Sequence, residues 1–262
     1  MGFVEKQGLR YFQFDLFDQQ PVLHGVISRQ GGFSQTPFDS LNTGGTVGDD
    51  HLSVLKNHQR IFDAFDVEFS SRLDVWQVHG TDIVCGDKPR DPDTRHEKAD
   101  GILTDNPGVT LFMRFADCVP ILLYDPLKKV VGIIHAGWQG TYKQIARVAI
   151  EKMVSCYGSK PGSVLAGIGP SICQDCYEVG LEVLKAFRGS FGQKADPFFI
   201  TRDDHIFLDL WAANRESLLT AGVRQIETAG ICTACHLEDW YSHRAENGRT
   251  GRFGVLMRLQ DN

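Results

Sequence analysis

The sequence predicts an α+β fold, a single domain spanning 1–262 in which mixed β-sheets are flanked by helices. Two observations carry this. Short β-like apolar runs, several joined by tight turns as hairpins, are mixed with a few amphipathic helical stretches, a pattern unlike the regular alternation of a doubly wound fold. No Pro-, Gly- or Ser-rich linker, repeat or low-complexity segment divides the chain, and its 262 residues lie within the range of one αβ unit around one core.

The elements follow in order. Tyr11 to Asp15 and Val22 to Ser28 read as strands, followed by glycine-containing loops at Arg29 to Phe33 and Ser40 to Gly48. Asp49 and Asp50 open a helix whose apolar face is expected to carry Leu52, Leu55, Ile61, Phe62 and Phe65. Leu73 to Val78 and Thr81 to Val84 read as paired strands about the turn His79-Gly80, and Lys88 to Lys98 as a charged, solvated loop. Between 109 and 134 lie three β-rich runs, 109 to 115, 119 to 124 and 130 to 134, with Asp125-Pro126 starting a turn between the last two. Antiparallel register about that turn gives partner numbers summing to about 254, which brings Cys118 and His135 together. A helix is expected from Trp138 to about Tyr157, with the stripe Ile145, Val148, Ala149, Met153 and Val154 and a stop at Gly158. Helices at Glu178 to Phe187 and Leu208 to Thr220, and strands at Val164 to Ile168, Gln225 to Ala229 and Phe253 to Leu259, complete the chain.

Composition narrows the function. Hydrophobic residues make up 42% and charged residues 23%, a globular mixture that excludes collagen-like, coiled-coil and disordered classes. The formal charge of -6 argues against a non-specific nucleic-acid partner. No apolar run approaches the roughly 20 residues of a membrane span, and the first residues lack the pattern of a secretory signal. A cytoplasmic protein is therefore expected, with seven cysteines serving as buried thiols, metal ligands or a nucleophile rather than a disulfide framework.

Three polar residues stand at strand ends beside glycines or turns: His79, Cys118 and His135. Two imidazoles and a thiolate suit zinc with a fourth position open, the arrangement of a catalytic site. Interior histidines with a buried cysteine are the plainer reading, and a Cys118 nucleophile activated by His135 or His79 is a third. The pairs Cys173-Gln-Asp-Cys176 and Cys232-Thr-Ala-Cys235 could make a closed zinc site. Their separation by 55 residues is longer than in compact zinc ribbons, so buried thiols near a pocket are expected instead. Arg29 and Arg244 could bind phosphate bidentately, and the basic turn Asn247 to Arg252 could form a lid.

The motifs Gln77-Val78-His79-Gly80, Ala116-Asp117-Cys118-Val119-Pro120, His135-Ala136-Gly137-Trp138, Cys176-Tyr177-Glu178-Val179 and Ser242-His243-Arg244, with Ala99-Asp100-Gly101, Gly169-Pro170, Ser28 to Gly32 and Ser40-Leu41-Asn42, resemble the laccase-domain family, also labelled multicopper polyphenol oxidases. The likeness covers nearly the whole chain. It implies a zinc site, with copper as the alternative, made by His79, Cys118 and His135. It implies a purine nucleoside phosphorylase acting on adenosine, inosine, guanosine or methylthioadenosine, with adenosine deaminase activity. Its partners would be a purine nucleoside and phosphate, in a monomer or small homo-oligomer. Asp117, Asp100 and Arg29 are the expected catalytic residues, and Arg29, Asn42, Gln77 and Arg244 the expected substrate contacts. The older label implies copper-dependent phenol oxidation, which nine histidines with no His-x-His pair serve poorly. A peptidoglycan-precursor editing hydrolase using Cys118 and a non-catalytic binding domain are the other readings. One departure stands out: where the family commonly has His-Ala-Gly-Trp-Arg-Gly, this chain has Gln139, which removes a guanidinium fork.

Overall fold

A computed structural model describes residues 2–260. Numbered in chain order, one sheet has the strand order β1 (Gly2–Lys6), β2 (Leu9–Gln13), β3 (Val22–Ile27), β15 (Phe253–Leu259), β7 (Thr110–Phe115), β4 (Arg72–Leu73). A second runs β14 (Gln225–Thr228), β10 (Leu165–Ile168), β8 (Val119–Asp125), β9 (Val130–Ala136), β6 (Gly101–Thr104), β5 (Ile83–Cys85). Most pairs are antiparallel, but β4 with β7, β5 with β6 and β10 with β14 are parallel, so both sheets are mixed. A small third sheet joins β11 (Glu178–Val179), β13 (His205–Leu208) and β12 (Phe199–Arg202).

The two large sheets pack face to face. Their shared core takes alternate residues from each: Leu111, Met113, Phe115, Val255 and Met257 from the first, Ile102, Leu122, Tyr124, Val131 and Ile133 from the second. The intervening residues face outward and are covered too. Phe112 and Leu256 pack on α1 (His51–Ala64) through Ile61 and Phe62. Ile121, Leu123, Ile134 and Ala136 pack with the helices α3 (Ile145–Tyr157), α4 (Leu181–Phe191) and α5 (Leu210–Thr220). With both faces buried, β8 and β9 have no polar alternation, which explains their near-continuous apolar sequence.

The hairpin β8–β9 is present with partner numbers summing to 255, so Pro120 faces His135, one residue from the expected register. The other expected hairpin does not form. Arg72–Leu73 joins the first sheet and Ile83–Cys85 the second, so the stretch around His79-Gly80 crosses from one sheet to the other instead of turning back. The helix after β9 is broken into α2 (Trp138–Tyr142) and α3 by Gln144 at φ 61°, a left-handed conformation no helix interior tolerates. Gly158 stops α3 in the left-handed conformation, as expected. Asp50 caps α1 by accepting the Ser53 N–H, yet Leu52 and Leu55 are exposed, and Val54 and His58 take the buried positions with Ile61, Phe62 and Phe65. The fourth helix starts at Leu181, after the short strand β11, rather than at Glu178. Among the described residues no helix is long and apolar enough to cross a membrane.

Candidate active site

At one end of the sandwich the strands deliver three donors to one place. His135 sits on β9 at the same pleat parity as Val131 and Ile133, so it faces the space between the sheets. Cys118 lies two residues before Pro120, His135's partner across the hairpin, and so shares that face. His79 arrives on the crossing segment between the sheets. The ligand atoms of His79, Cys118 and His135 all lie within 4.8 Å of one another, with His79 Nε2 3.8 Å from the Cys118 sulfur.

Backbone and neighbours hold this cluster tightly. His79 and Asp117 take left-handed conformations, φ 59° and 78°, that are unusual outside glycine. The Asp100 carboxylate, fully buried, accepts the N–H groups of Val78, His79 and Gly80 at 3.1, 2.9 and 2.6 Å and binds His135 Nδ1 at 2.8 Å. One carboxylate therefore shapes the His79 turn and orients the His135 ring, leaving Nε2 for the cluster, the usual support of a metal-binding imidazole. At Gly137 a Cβ would fall 2.9 Å from the Cys118 sulfur and 3.0 Å from His79 Cδ2, so the donors close over a residue with no side chain.

The electrostatics follow. Burial alone would raise the Cys118 thiol, but the charge and hydrogen bonds of His135 and His79 outweigh it and bring it down to about 6. Burial likewise works against His135, yet Cys118 and Asp100 raise it to about 9. Burial favours neutral Asp100, but His135 and the converging N–H groups keep it below the ordinary carboxylate range. A thiol held low in pKa beside two histidines is a metal-type donor set once an ion displaces the His135 proton, and three protein donors leave a coordination position for an exogenous ligand.

The cluster opens on a cleft of about 900 Å³, within the usual size of small-molecule sites. Asp117, Gln77 and Arg244 line it. Asp117 accepts the Thr233 hydroxyl and the Arg244 N–H, both at 2.7 Å. Gln77 clasps the backbone of Arg114 through both ends of its amide. Arg244 donates to the Glu178 carbonyl and lies 5.0 Å over the Tyr177 ring. The turn expected as a lid contributes Gly248 and Arg252 to the wall, next to His243.

Three expected residues stand elsewhere. Arg29 does not line the cleft: its guanidinium is buried, pairs with Glu246 at 3.1 Å, donates to the Asp39 and Leu237 carbonyls and stacks on Tyr241. It fastens loops together, and no N–H fork is presented to a substrate. Asn42 is also behind the wall, bonded to Asp49, Gly44 and the Arg252 N–H, where it shapes the Gly44-Gly45 loop that does line the cleft. Asp100 touches the cluster only through His135 and the His79 turn, so it is a positioning residue rather than an acid or base meeting substrate.

Sequence reasoning gave no role to Arg114, His51, His96 and Trp76, which line the cleft together with Tyr177 and Arg252. Trp76 is 49% exposed, an aromatic face at the opening whose only sequence signal was its place just before Gln77-Val78-His79. Trp138 stacks on Tyr142 with centroids 5.7 Å apart and also faces the cleft, as does Gln139.

The family model described as multi-copper polyphenol oxidoreductase laccase matches residues 23–260. The chain belongs to this laccase-domain family. Its relatives within the family include the protein named purine nucleoside phosphorylase YlmD of Bacillus subtilis, 37% identical over 93% of this chain and 91% of that protein. Another is purine nucleoside phosphorylase YfiH of Escherichia coli, 34% identical over 92% of this chain and 97% of that protein. Among solved structures, Bacillus licheniformis hypothetical protein YfiH superposes with a TM-score of 0.92 at 33% identity, covering 98% of this chain and 99% of that one. YlmD from Geobacillus stearothermophilus does so at 0.91 and 32%, covering 99% of each. The laccase-domain fold thus includes the mixed-sheet α+β architecture found here, and the relatives named above carry the name purine nucleoside phosphorylase.

Proposed function

We propose that the chain is a zinc-dependent purine nucleoside phosphorylase acting on adenosine, inosine, guanosine or methylthioadenosine, with His79, Cys118 and His135 holding the metal. The observation that carries this is one cleft combining the three-donor cluster, arginines suited to phosphate and aromatic walls suited to a base. Bound zinc would supply Lewis-acid charge at the floor of the cleft.

Phosphorolysis joins a phosphate oxygen to ribose C1′ and breaks the C1′–N9 bond, the base leaving with the bonding electrons and taking up a proton. Arg244 and Arg252, both lining the cleft, are the groups to hold the phosphate, since a guanidinium fork matches phosphate oxygens. Tyr177, Trp138 and Trp76 give flat apolar faces for the purine. Asp117 fixes the Arg244 backbone and so sets where that arginine begins. Arg114 is engaged by Asp74 and the Val75 carbonyl and serves to stiffen the wall.

Hydrolytic deamination of adenosine would use water at C6 and a carboxylate to move protons. Asp117 is the acidic group on the wall for that task, and it also accepts from the Thr233 hydroxyl and the Arg244 N–H. The two metal-type clusters among the described residues contain only two histidines between them, a poor inventory for an electron relay through several coppers.

Incubation of purified, zinc-loaded protein with inosine should release hypoxanthine only when phosphate is present. His79→Ala should lower that rate by about 100-fold or more. Release that ignores phosphate, or that survives complete removal of metal, would refute the reading.

A further inference from the structure

The four cysteines of the two Cys-x-x-Cys pairs are brought together far from each other in sequence. Cys173 and Cys176 flank a short turn after β10, and Cys232 and Cys235 lie on the segment after β14. Their sulfurs all lie within 4.8 Å of one another, with Cys176 and Cys235 at 3.4 Å. Parallel pairing of β10 with β14 continues into a bridge between Ser171 and Cys232, and this alignment overrides the 55-residue separation.

We propose that Cys173, Cys176, Cys232 and Cys235 form a second, closed metal site that takes a thiophilic divalent ion, zinc, in a structural role. A tetrahedral zinc with bonds of about 2.3 Å places its sulfurs about 3.8 Å apart, and the four thiols already sit at that scale without rearrangement of the backbone. Two independent disulfides would need two sulfur pairs and no relation between them, whereas here all four sulfurs share one centre. The Cys173 N–H points at the Cys232 sulfur at 3.3 Å, the kind of backbone donor that supports a thiolate bound to metal. Cys232 is buried, Cys173 and Cys176 are half-buried and Cys235 is exposed, which leaves an entry path for the ion from one side.

The location gives the site a purpose. Ser171 and Thr233 exchange backbone hydrogen bonds with the opposite segment at 3.1 Å. Thr233 then donates its hydroxyl to Asp117, while the Ile172 N–H donates to the Asp117 carbonyl at 3.0 Å. Cys176 immediately precedes Tyr177, which lines the catalytic cleft. A metal clamp on these two segments would therefore hold the Asp117 and Tyr177 walls in place, next to Cys118 but without sharing a ligand with it.

The test separates the two clusters. Zinc is counted on the denatured full-length chain, using His79→Ala/Cys118→Ala to remove the three-donor set and Cys176→Ser/Cys235→Ser to remove the four-thiol set. The expected result is two zinc per chain unmodified and one in each double variant. Cobalt exchanged into His79→Ala/Cys118→Ala should show thiolate-to-cobalt charge-transfer bands and intense tetrahedral visible bands. In the unmodified chain, iodoacetamide mapping covers the case in which the cysteine variant does not fold. The four cysteines should be protected until a chelator is added, with no reductant needed. Loss of all zinc from His79→Ala/Cys118→Ala, or thiols that alkylate freely or only after reduction, would overturn the proposal. None of these readouts depends on phosphorolysis, so failure of that reading leaves this test intact.

Discussion

Asp100 shows how one side chain can govern a site it does not enter. Its oxygens hold both the His79 turn and the His135 ring, so an amide at this position would present N–H where acceptors are needed. Asp100→Asn is expected to leave the chain folded and to weaken metal binding at the three-donor cluster by about 10–100-fold, measured by competition with a chromogenic chelator. Gly137→Ala is expected to act by sterics alone. Its methyl would press on Cys118 and His79, and metal retained after gel filtration should fall while Tm changes little. At Gln139, on the cleft wall, restoring the family's guanidinium in Gln139→Arg should lower the KM for phosphate by about tenfold, the order of one charge-assisted hydrogen bond. At this scale the sequence was informative where a motif is local: His79, Cys118 and His135 stand out by type and by flanking turns. The places of Arg29 and Asn42 were not legible because nothing beside them in sequence announces Glu246 or the Arg252 backbone as partners. The Glu246 and Arg252 contacts come from segments more than 200 residues away.

Among the elements, strands buried on both faces were the most legible, because a run such as Val119 to Tyr124 has no polar face to confuse its reading. The segment around His79 failed for the opposite reason. A His-Gly turn between two short apolar runs looks like a hairpin, and only the competition between two sheets for Leu73 and Ile83 decides otherwise. What holds that crossing is Asp74, almost fully buried among Arg72, Arg90, Arg114 and His96, with Arg90 and Arg114 at 2.8 and 2.9 Å. Burial would favour neutral Asp74, but the His96 hydrogen bond and the Arg114, Arg72 and Arg90 guanidiniums hold its carboxyl far below the usual range. Asp74→Ala would leave several guanidinium groups facing each other with no counter-charge. We expect a loss of about 3–5 kcal/mol in urea-induced unfolding, together with weaker substrate binding, since Arg114 and His96 also line the cleft.

For the whole molecule, the four layers of helix, sheet, sheet and helix bury two histidines that take no part in the site. Burial lowers His24 to about 4, and burial with the nearby Arg114 and Arg72 charges lowers His58 to about 3. Both protonate near 6.5 in the unfolded chain, so between that pH and about 4 the unfolded state binds more protons and stability falls as the pH falls. Together they contribute a slope of about 3 kcal/mol per pH unit. Urea midpoints measured from pH 7 to pH 4.5 should drop steadily, and a flat profile would mean that these imidazoles are not held neutral. The central claim concerns the cleft at the end of this sandwich and the bond made there. Its most direct test is to supply inosine with ¹⁸O-labelled phosphate and identify the sugar product. Ribose 1-phosphate carrying the label in its C1–O bond is the predicted result, and free ribose, or no cleavage by the zinc-loaded protein, would contradict it.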